Sequence, residues 1–273
     1  MSLDLMTLEE LGRKDFPTIS KNDSVENLLK ILEKAGMDRA IVLADGKPEG
    51  IVTKKDIISR IASTRSKVFP TSVLHVSSVM TYPLISLPPT TPVVKAARVM
   101  VDEGISSIPA IEGDEVKALL TKWEITKELK GSETPLREVM SAGVRKLLET
   151  DSLIKARKVM LEEGYSMLPV IRSDGEPIGV LTVSELLDTL VEFIDLLSES
   201  GAKDTLSRIT VGEIMRPYIP TLQEDSQIKE AVALMLDKEI RGVLIEGHNQ
   251  ELVGIVTITD LTKLVAAGGA HAP

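Results

Sequence analysis

GIVTKKD at residues 50–56 is the first of four related strings, and it is followed by ALLTKWE (118–124), GVLTVSE (179–185) and GIVTITD (254–260). In each string a strand-like apolar run ends at a threonine, and an acidic residue stands three positions later. We call these strings the signatures; their threonines are Thr53, Thr121, Thr182 and Thr257. The spacing between them is uneven, which predicts a fixed repeated unit joined by linkers of variable length.

The sequence before each signature repeats as well. A candidate helix N-cap stands at a nearly constant distance before each signature threonine, and these caps are Asp23, Thr91, Asp151 and Ser226. Three of the caps are preceded by similar strings, which we call the lead-in strings: VSSVM (76–80), LREVM (136–140) and VGEIM (211–215). The first copy has Gly12 where the others end in methionine. The constant offsets indicate one structural unit present four times.

Each unit has a readable local pattern. Apolar residues follow the first cap at helical spacing, with Val25, Leu28 and Leu32 on one face. The pair Asp45-Gly46 then favours a tight hairpin, whose second strand runs into the signature. A second helix begins at the signature. The pattern therefore predicts a βαββα unit and a mixed α/β (α+β) fold.

The repeat also predicts the domain organisation. The four units are expected at residues 8–64, 73–130, 133–199 and 208–266. One unit of about 55 residues is marginally stable alone, because it buries too little of its apolar surface. We therefore expect the units to pair into two modules, at residues 1–130 and 131–273.

The composition restricts the function classes that fit. Hydrophobic residues make up 43% of the 273 residues, enough for a packed core, and the net charge of −9 argues against a nucleic-acid-binding surface. The chain has no cysteine, its first residues lack the features of a signal peptide, and acids interrupt its most apolar stretch. We expect a cytoplasmic protein that binds neither membranes nor nucleic acids.

No catalytic motif is found in the sequence. It contains no G-x-S-x-G string, Walker lysine loop, G-x-G-x-x-G string or H-E-x-x-H string. The histidines His75, His248 and His271 lack the spacing of metal ligands. We therefore expect a protein that is not an enzyme and that holds neither a metal nor a catalytic cofactor.

The lead-in strings, capped helices, hairpins and signatures together resemble those of tandem CBS-domain proteins. The resemblance covers about residues 8–266. Four copies in one chain resemble the nucleotide-sensing gamma subunit of AMP-activated protein kinase and its stand-alone archaeal relatives. This resemblance implies two ligand clefts in each pair of units and two modules that form a flat, pseudo-symmetric disc. It also implies AMP, ADP or ATP as a regulatory ligand.

The signature allows two chemical interpretations. Threonine followed three residues later by an acid is a capping box that needs no ligand, and Glu124 and Glu185 suit that role. Asp56 and Asp260 are shorter, and a carboxylate at a helix start can accept two hydrogen bonds from a ribose diol.

A phosphate would then meet the adjacent helix N-terminus. Thr53 and Thr257 can donate a hydroxyl to it, while Gly50 and Gly254 leave room for a ligand beside the strand.

A phosphate also needs cations, and several stand close by in sequence. Lys54 and Lys55 lie inside the first signature, while Arg39 and Arg241 stand just before the first hairpin strand of their copies. The alternative for the lysine pair is a solvated helix face. The fourth copy has Thr259 near its signature acid instead of lysines. Thr259 can donate to a phosphate, but we expect less positive charge in that pocket.

The resemblance further implies where an adenine ring would lie. For the Asp56 cleft it points to Leu84 and Ile85, which follow the lead-in string of the second copy. For the Asp260 cleft it points to Val144, Tyr165 and Ser166 of the third copy. Apolar walls suit a flat base. Ordinary core packing is an equally good explanation of each residue taken alone.

Three functions fit these observations. The first is an energy-sensing regulatory protein that binds an adenine nucleotide and changes a surface presented to a partner protein. The second is an interaction scaffold in which the signatures are only capping boxes. The third is a sensor of S-adenosylmethionine or another adenosyl ligand, although nearby cations favour a phosphate over a sulfonium. The sequence does not identify the partner protein and leaves a homodimer open.

Overall fold

The computed structural model describes residues 3–61, 70–200, 208–217, 221–248 and 251–268. Each of the four copies contains an antiparallel hairpin flanked by two helices, so the predicted mixed α/β fold is confirmed. Within the described part of the chain, no helix combines the length and apolar character needed to cross a bilayer.

Copy one follows the predicted βαββα order, whereas the first strand of copy two is reduced to an isolated bridge between Leu87 and Ala110. After a short 3-10 helix (Leu3–Leu5), copy one comprises α1 (Leu8–Leu11), β1 (Thr18–Ser20), α2 (Val25–Ala35), β2 (Arg39–Ala44), β3 (Lys47–Thr53) and α3 (Lys54–Ile61). Copy two comprises a 3-10 helix (Val76–Ser78), α4 (Val93–Asp102), β4 (Ser107–Glu112), β5 (Glu115–Thr121) and α5 (Lys122–Glu128).

The last two copies repeat this order with additional short strands. Copy three comprises a 3-10 helix (Leu136–Glu138), β6 (Ser141–Ala142), β7 (Leu147–Leu148), α6 (Leu153–Glu162), β8 (Met167–Ile171), β9 (Pro177–Thr182) and α7 (Val183–Ser200). Copy four comprises α8 (Val211–Ile214), β10 (Arg216–Pro217), β11 (Thr221–Gln223), α9 (Ile228–Lys238), β12 (Gly242–Glu246), β13 (Leu252–Thr257) and α10 (Ile258–Ala266).

The predicted N-caps were wrong by one residue in every copy. The caps are Ser24, Pro92, Ser152 and Gln227. Ser24 Oγ accepts a hydrogen bond from the Asn27 N–H at 3.1 Å, as a cap should. Asp23 instead accepts from the Ser20 N–H at 3.3 Å and closes the turn before the helix. The aspartate therefore belongs to the turn, and the serine to the helix.

The folded chain divides into two compact units, each built from segments that are distant in sequence. The first unit contains Met1–Asp15, Ile85–Val144 and Ile219–Pro273, and the second contains Phe16–Leu84 and Arg145–Tyr218. This grouping differs from the division into residues 1–130 and 131–273. The predicted modules, their four sequence boundaries and the disc stay predictions.

In the second unit, the signature helices of copies one and three pack together. The α3 helix lies against α7, and their apolar side chains join one core that includes Ile57, Ile58, Leu186 and Leu190. Arg157 of α6 donates hydrogen bonds to the carbonyls of Ile58 (3.1 Å) and Ser59 (2.9 Å) in α3.

The first unit has the corresponding arrangement for copies two and four. The α10 helix packs against α4 and α5. Arg98 of α4 donates to the Ala266 carbonyl at 2.7 Å, at the end of α10. In both units an arginine on one copy's first helix therefore satisfies carbonyls of another copy's signature helix.

The residue after each lead-in string, and Arg13 after Gly12 in copy one, pairs with the signature strand of another copy. We call the string together with this residue the lead-in segment and the residue itself the lead-in residue. In the second unit, Thr81 pairs with Ile51 and Arg216 pairs with Val180, both antiparallel. In the first unit, Arg13 pairs with Leu119 and Ser141 pairs with Ile255 in the same way. Each partner stands two residues before a signature threonine. Copies one and two thus exchange lead-in segments, and so do copies three and four.

Small residues permit this close pairing. A Cβ placed on Gly179 would lie 2.5 Å from the Arg216 carbonyl oxygen, and one on Gly50 would lie 2.8 Å from that of Thr81. Copy two has Ala118 at this position. The lead-in segment that pairs with it has Gly12 instead of the usual methionine, which leaves room for the alanine methyl group. The predicted room beside Gly50 is therefore filled by backbone, and a ligand contact at Gly50 or Gly254 stays a prediction.

We expect Gly179→Ala to destabilise the protein by about 1–3 kcal/mol, because backbone atoms of the lead-in segment must shift to admit the methyl group. Gly131→Ala is the matched control, since a Cβ there meets no atom within 4 Å. Its effect should stay within about 0.5 kcal/mol. Urea unfolding measures both. Equal stability of the two variants would contradict the close pairing.

Candidate ligand-binding clefts

The Asp56 signature forms a complete capping box. The Thr53 N–H and hydroxyl donate to Asp56 Oδ2 at 2.8 and 2.6 Å, and the Asp56 N–H donates to Thr53 Oγ1 at 3.2 Å. Asp260 repeats this arrangement, with Thr257 donating to Oδ2 at 2.9 and 2.6 Å. In both copies the cap uses only one oxygen of the carboxylate.

The other oxygen faces a hydroxyl of the exchanged lead-in segment. Thr81 Oγ1 donates to Asp56 Oδ1 at 3.3 Å, and Ser141 Oγ donates to Asp260 Oδ1 at 2.7 Å. Lys263 Nζ also lies 3.9 Å from Asp260 Oδ1. Each aspartate therefore stands between its own helix cap and a neutral donor from another copy. A ribose diol offers donors of the same kind.

Copy three fills the corresponding position with an ion pair. Thr182 caps through its N–H, which donates to Glu185 Oε2 at 3.1 Å, and through its hydroxyl. Arg216 donates to Glu185 Oε1 from Nη2 at 2.7 Å and from Nε at 3.1 Å. Both oxygens of this glutamate are thus bound by groups of the protein.

Copy two has a glutamate and an arginine at the corresponding positions, but the arginine donates to Asp15 and not to the glutamate. The Thr121 hydroxyl donates to Glu124 Oε2, while Oε1 is buried and has no hydrogen-bond partner among the described residues. Lys127 Nζ lies 3.6 Å from that oxygen, too far for a hydrogen bond. The hydrogen bond to Asp15 raises the pKa of Arg13, and the Glu124 charge acts in the same direction.

Two of the three cations near Asp56, Arg39 and Lys54, are engaged by other protein groups. Arg39 is the first residue of β2 and pairs with Thr53 across the hairpin. Its buried side chain donates to Asp38 at 2.8 and 3.0 Å. Lys54 Nζ donates to Ser184 Oγ of α7 at 3.2 Å. Lys55 is half-buried, and burial lowers the pKa of its ammonium group.

Arg39 and Arg241 are not equivalent, contrary to the sequence interpretation. Arg241 precedes β12, and its carbonyl accepts the Ile258 N–H at 3.0 Å. The carbonyl of Asp38 plays that part in copy one, where it accepts the Lys54 N–H at 2.9 Å. Arg39 therefore lies one residue further along its strand, and this shift turns its side chain to the opposite face.

The Asp260 cleft gains a cation that the sequence analysis missed. Lys122 of copy two is buried, and its Nζ donates to Thr259 Oγ1 at 3.3 Å. Less positive charge is expected here than at Asp56 from the sequence, and Lys122 is a cation that this expectation does not count. Lys122 follows its signature threonine just as Lys54 follows Thr53, and this shared position was the available signal.

The candidate adenine residues are divided between the two units. Leu84 belongs with Asp56, and its N–H donates to the Glu49 carbonyl at 3.2 Å beside a depression of about 400 Å³. Val144 belongs with Asp260 and follows β6, which pairs with β13. Ile85, Tyr165 and Ser166 lie in the other unit from the aspartate to which each was assigned, so their roles stay predictions.

The comparison with known proteins fits this arrangement. A family model of the CBS domain matches residues 8–63, 76–131, 136–192 and 211–267. The chain belongs to the CBS-domain family. Its four CBS units therefore account for most of its length.

Two archaeal relatives and one solved structure are similar to this CBS-domain chain. It is 26% identical to the uncharacterized protein MJ1404 of Methanocaldococcus jannaschii, over 95% of this chain and 62% of that protein. It is 30% identical to the uncharacterized protein MK0525 of Methanopyrus kandleri, over 42% of this chain and 54% of that protein. The chain thus spans between half and two thirds of the length of these relatives.

One of the similar solved structures is that of MJ1225 of Methanocaldococcus jannaschii, described as a proposed archaeal homologue of g-AMPK. The two structures superpose with a TM-score of 0.82 at 17% identity, over 94% of this chain and 99% of that one. Likeness at this identity shows a shared fold.

The Arg216–Glu185 pair leads to a pH-dependent prediction. Burial raises the pKa of Glu185, but the hydrogen bond from Thr182 and the ion pair with Arg216 outweigh it, so the pKa lies below the ordinary 4.5. A carboxylate with a lowered folded-state pKa stabilises the fold above its unfolded pKa. That stabilisation is lost as the pH falls through the folded-state value.

We therefore expect Arg216→Met to lower the free energy of unfolding by about 1 kcal/mol at neutral pH. The difference from the wild type should shrink as the pH falls from 4.5 through the lower folded-state pKa, because Glu185 is then protonated in both proteins. Urea unfolding at neutral pH and at a pH below the folded-state pKa measures this difference in the free energy of unfolding. Lys229→Met, which breaks the exposed pair with Glu133, should change little at either pH. A pH-independent loss would show that the charge of Glu185 is not involved.

Proposed function

We propose that this CBS-domain protein binds adenine nucleotides in the clefts at Asp56 and Asp260 and regulates a partner, without catalysing a reaction. The observation that supports this function is that the two oxygens of each carboxylate have different hydrogen-bond partners. Oδ2 accepts the capping hydrogen bonds. Among the described residues, Oδ1 accepts a hydrogen bond only from the neutral hydroxyl of Thr81 or Ser141. Lys263 near Asp260 is too distant for a hydrogen bond. Capping and ligand binding are therefore compatible at the same residue.

Exchange of a protein hydroxyl for a ribose hydroxyl costs little. Both are neutral donors to the same carboxylate oxygen, so the acceptor is never left without a partner. The displaced Thr81 side chain is exposed and can turn to water. Asp260 is buried, and a hydrogen bond to its charge in that setting is stronger than one in water.

Phosphate binding is supported by the groups around the signature helices. The first turns of α3 and α10 offer backbone N–H groups with positive potential. Lys55 lies beside Asp56, and Lys122 reaches the Thr259 hydroxyl beside Asp260. Arg241 immediately precedes the strand that pairs with β13. A cluster of cations suits a phosphate and opposes a sulfonium, so we favour AMP, ADP or ATP over S-adenosylmethionine.

We place the adenine ring against Leu84 in one cleft and Val144 in the other, with Ile85, Tyr165 and Ser166 as further candidates. The regulatory output would be a shift in the population of conformations presented to a partner protein. The cytoplasmic location, the partner and a homodimer belong to this proposal. The interaction scaffold remains the alternative, because the observed capping boxes are complete without any ligand.

Asp56→Asn and Asp260→Asn test the function while keeping an oxygen for the cap. Each should weaken AMP binding at its own cleft by tenfold or more, because a hydrogen bond to a charged acceptor is worth about 1.5–3 kcal/mol. Titration calorimetry with AMP, ADP, ATP and S-adenosylmethionine measures the affinities. Asp237→Asn is the matched control, because Asp237 is exposed on α9 outside the clefts, and it should leave the affinities unchanged.

The absence of heat with all four ligands at millimolar concentration would overturn nucleotide binding and favour the scaffold. Binding that survives in the double Asp56→Asn, Asp260→Asn variant would place the site elsewhere. Displacement of AMP by S-adenosylmethionine at a lower concentration would identify an adenosyl sensor instead.

A further inference from the structure

One position in the lead-in segment varies together with the signature acid. The lead-in residue pairs with the residue that stands two positions before the signature threonine of another copy. This lead-in residue is Thr81 or Ser141 where the signature acid is aspartate. It is an arginine where the acid is glutamate: Arg216 donates to Glu185, whereas Arg13 donates to Asp15 and not to Glu124. The sheet pairing brings the two residues of each set to the same place in all four copies, so the coincidence is structural.

In copy three the arginine occupies the place of a ligand hydroxyl. Arg216 donates two hydrogen bonds to Glu185 Oε1, the carboxylate oxygen that takes no part in the capping box. The additional methylene of glutamate carries that oxygen further from the helix start. The Glu185 side chain is 18% exposed and that of Arg216 is 45% exposed, so the guanidinium lies on the solvent side of the acid.

A ribose could enter this cleft only by breaking the ion pair. The neutral hydroxyl groups that replaced the guanidinium would leave one charged partner without its counter-ion in a partly buried place, which is unfavourable. At Asp56 the ligand displaces only a threonine hydroxyl, and no charge loses its partner. The free-energy cost of binding a ribose is therefore low at Asp56 and high at Glu185.

We propose that Arg216 is a specificity-determining residue that excludes ribose from the Glu185 cleft. This inference rests on the proposed function at Asp56 and Asp260. The proposed function fills the Asp56 and Asp260 clefts, which gives a wild-type ratio of two nucleotides per chain. The lowered pKa of Glu185 agrees with a persistent ion pair at neutral pH.

The test converts copy three into the arrangement of copy one. The variant Arg216→Thr, Glu185→Asp reproduces the Thr81–Asp56 pair, and titration calorimetry with AMP should show the ratio rising from two to three. Arg172→Thr, Glu176→Asp is the matched control, because it makes the same two changes in an ion pair outside the clefts. Its ratio should stay at two.

The reverse change protects the test against a variant that fails to fold. Thr81→Arg places a guanidinium beside Asp56, and the ratio should fall from two to one, whereas Thr81→Ser should keep it at two. Thr81 is exposed, so the fold should tolerate either residue.

The outcomes separate the two claims. A wild type that binds no AMP overturns the proposed function and this inference with it. A wild type with two sites, together with ratios that do not move in the Arg216 and Thr81 variants, overturns only the exclusion of ribose by Arg216.

Discussion

The antiparallel pairing between a lead-in segment and another copy's signature strand is the contact on which both clefts depend. At Ile51 and Thr81 it consists of two backbone hydrogen bonds, of 3.2 and 2.8 Å. The pairing demands a small residue on one side, which Gly50 supplies and which Ala118 with Gly12 supplies in a different way. Backbone geometry thus fixes which side chain of one copy stands over the acid of another.

That geometry explains how nearly identical helix starts come to have different chemistry. The capping box makes the same demand in every copy, and Thr53 with Asp56 meets it as well as Thr182 with Glu185 does. What differs is the group opposite the second carboxylate oxygen. In the proposed function a ligand hydroxyl replaces the hydroxyl there, while the guanidinium of Arg216 keeps its ion pair with Glu185. The proposed function therefore depends on the lead-in residue as much as on the signature.

The fold could be predicted from the sequence because its signals are local and repeated four times. Helical spacing, turn pairs and the signature gave the βαββα order and the family. Errors arose where one residue mattered. Asp23 and Ser24 are both good caps, and only the observed turn decides between them. Arg39 and Arg241 are separated by a register shift of one residue, which the uneven hairpins conceal.

The candidate site could be predicted only in part, because half of it comes from other copies. Asp56 and Asp260 stand out within their own signatures. Thr81, Ser141 and Lys122 are distant in sequence from the acids and hydroxyls that they contact. Their positions follow from strand pairing and helix packing between copies. An alignment of the four copies would show the contrast between hydroxyl and arginine, but only the structure shows what each faces.

A crystal structure with AMP bound would test the central claim most directly. We expect ribose hydroxyls within hydrogen-bond distance of Oδ1 of Asp56 and Asp260, with both capping boxes intact and the Arg216–Glu185 pair unbroken. Nucleotide bound at Glu185 with Arg216 displaced, or nucleotide found only away from both aspartates, would contradict the claim.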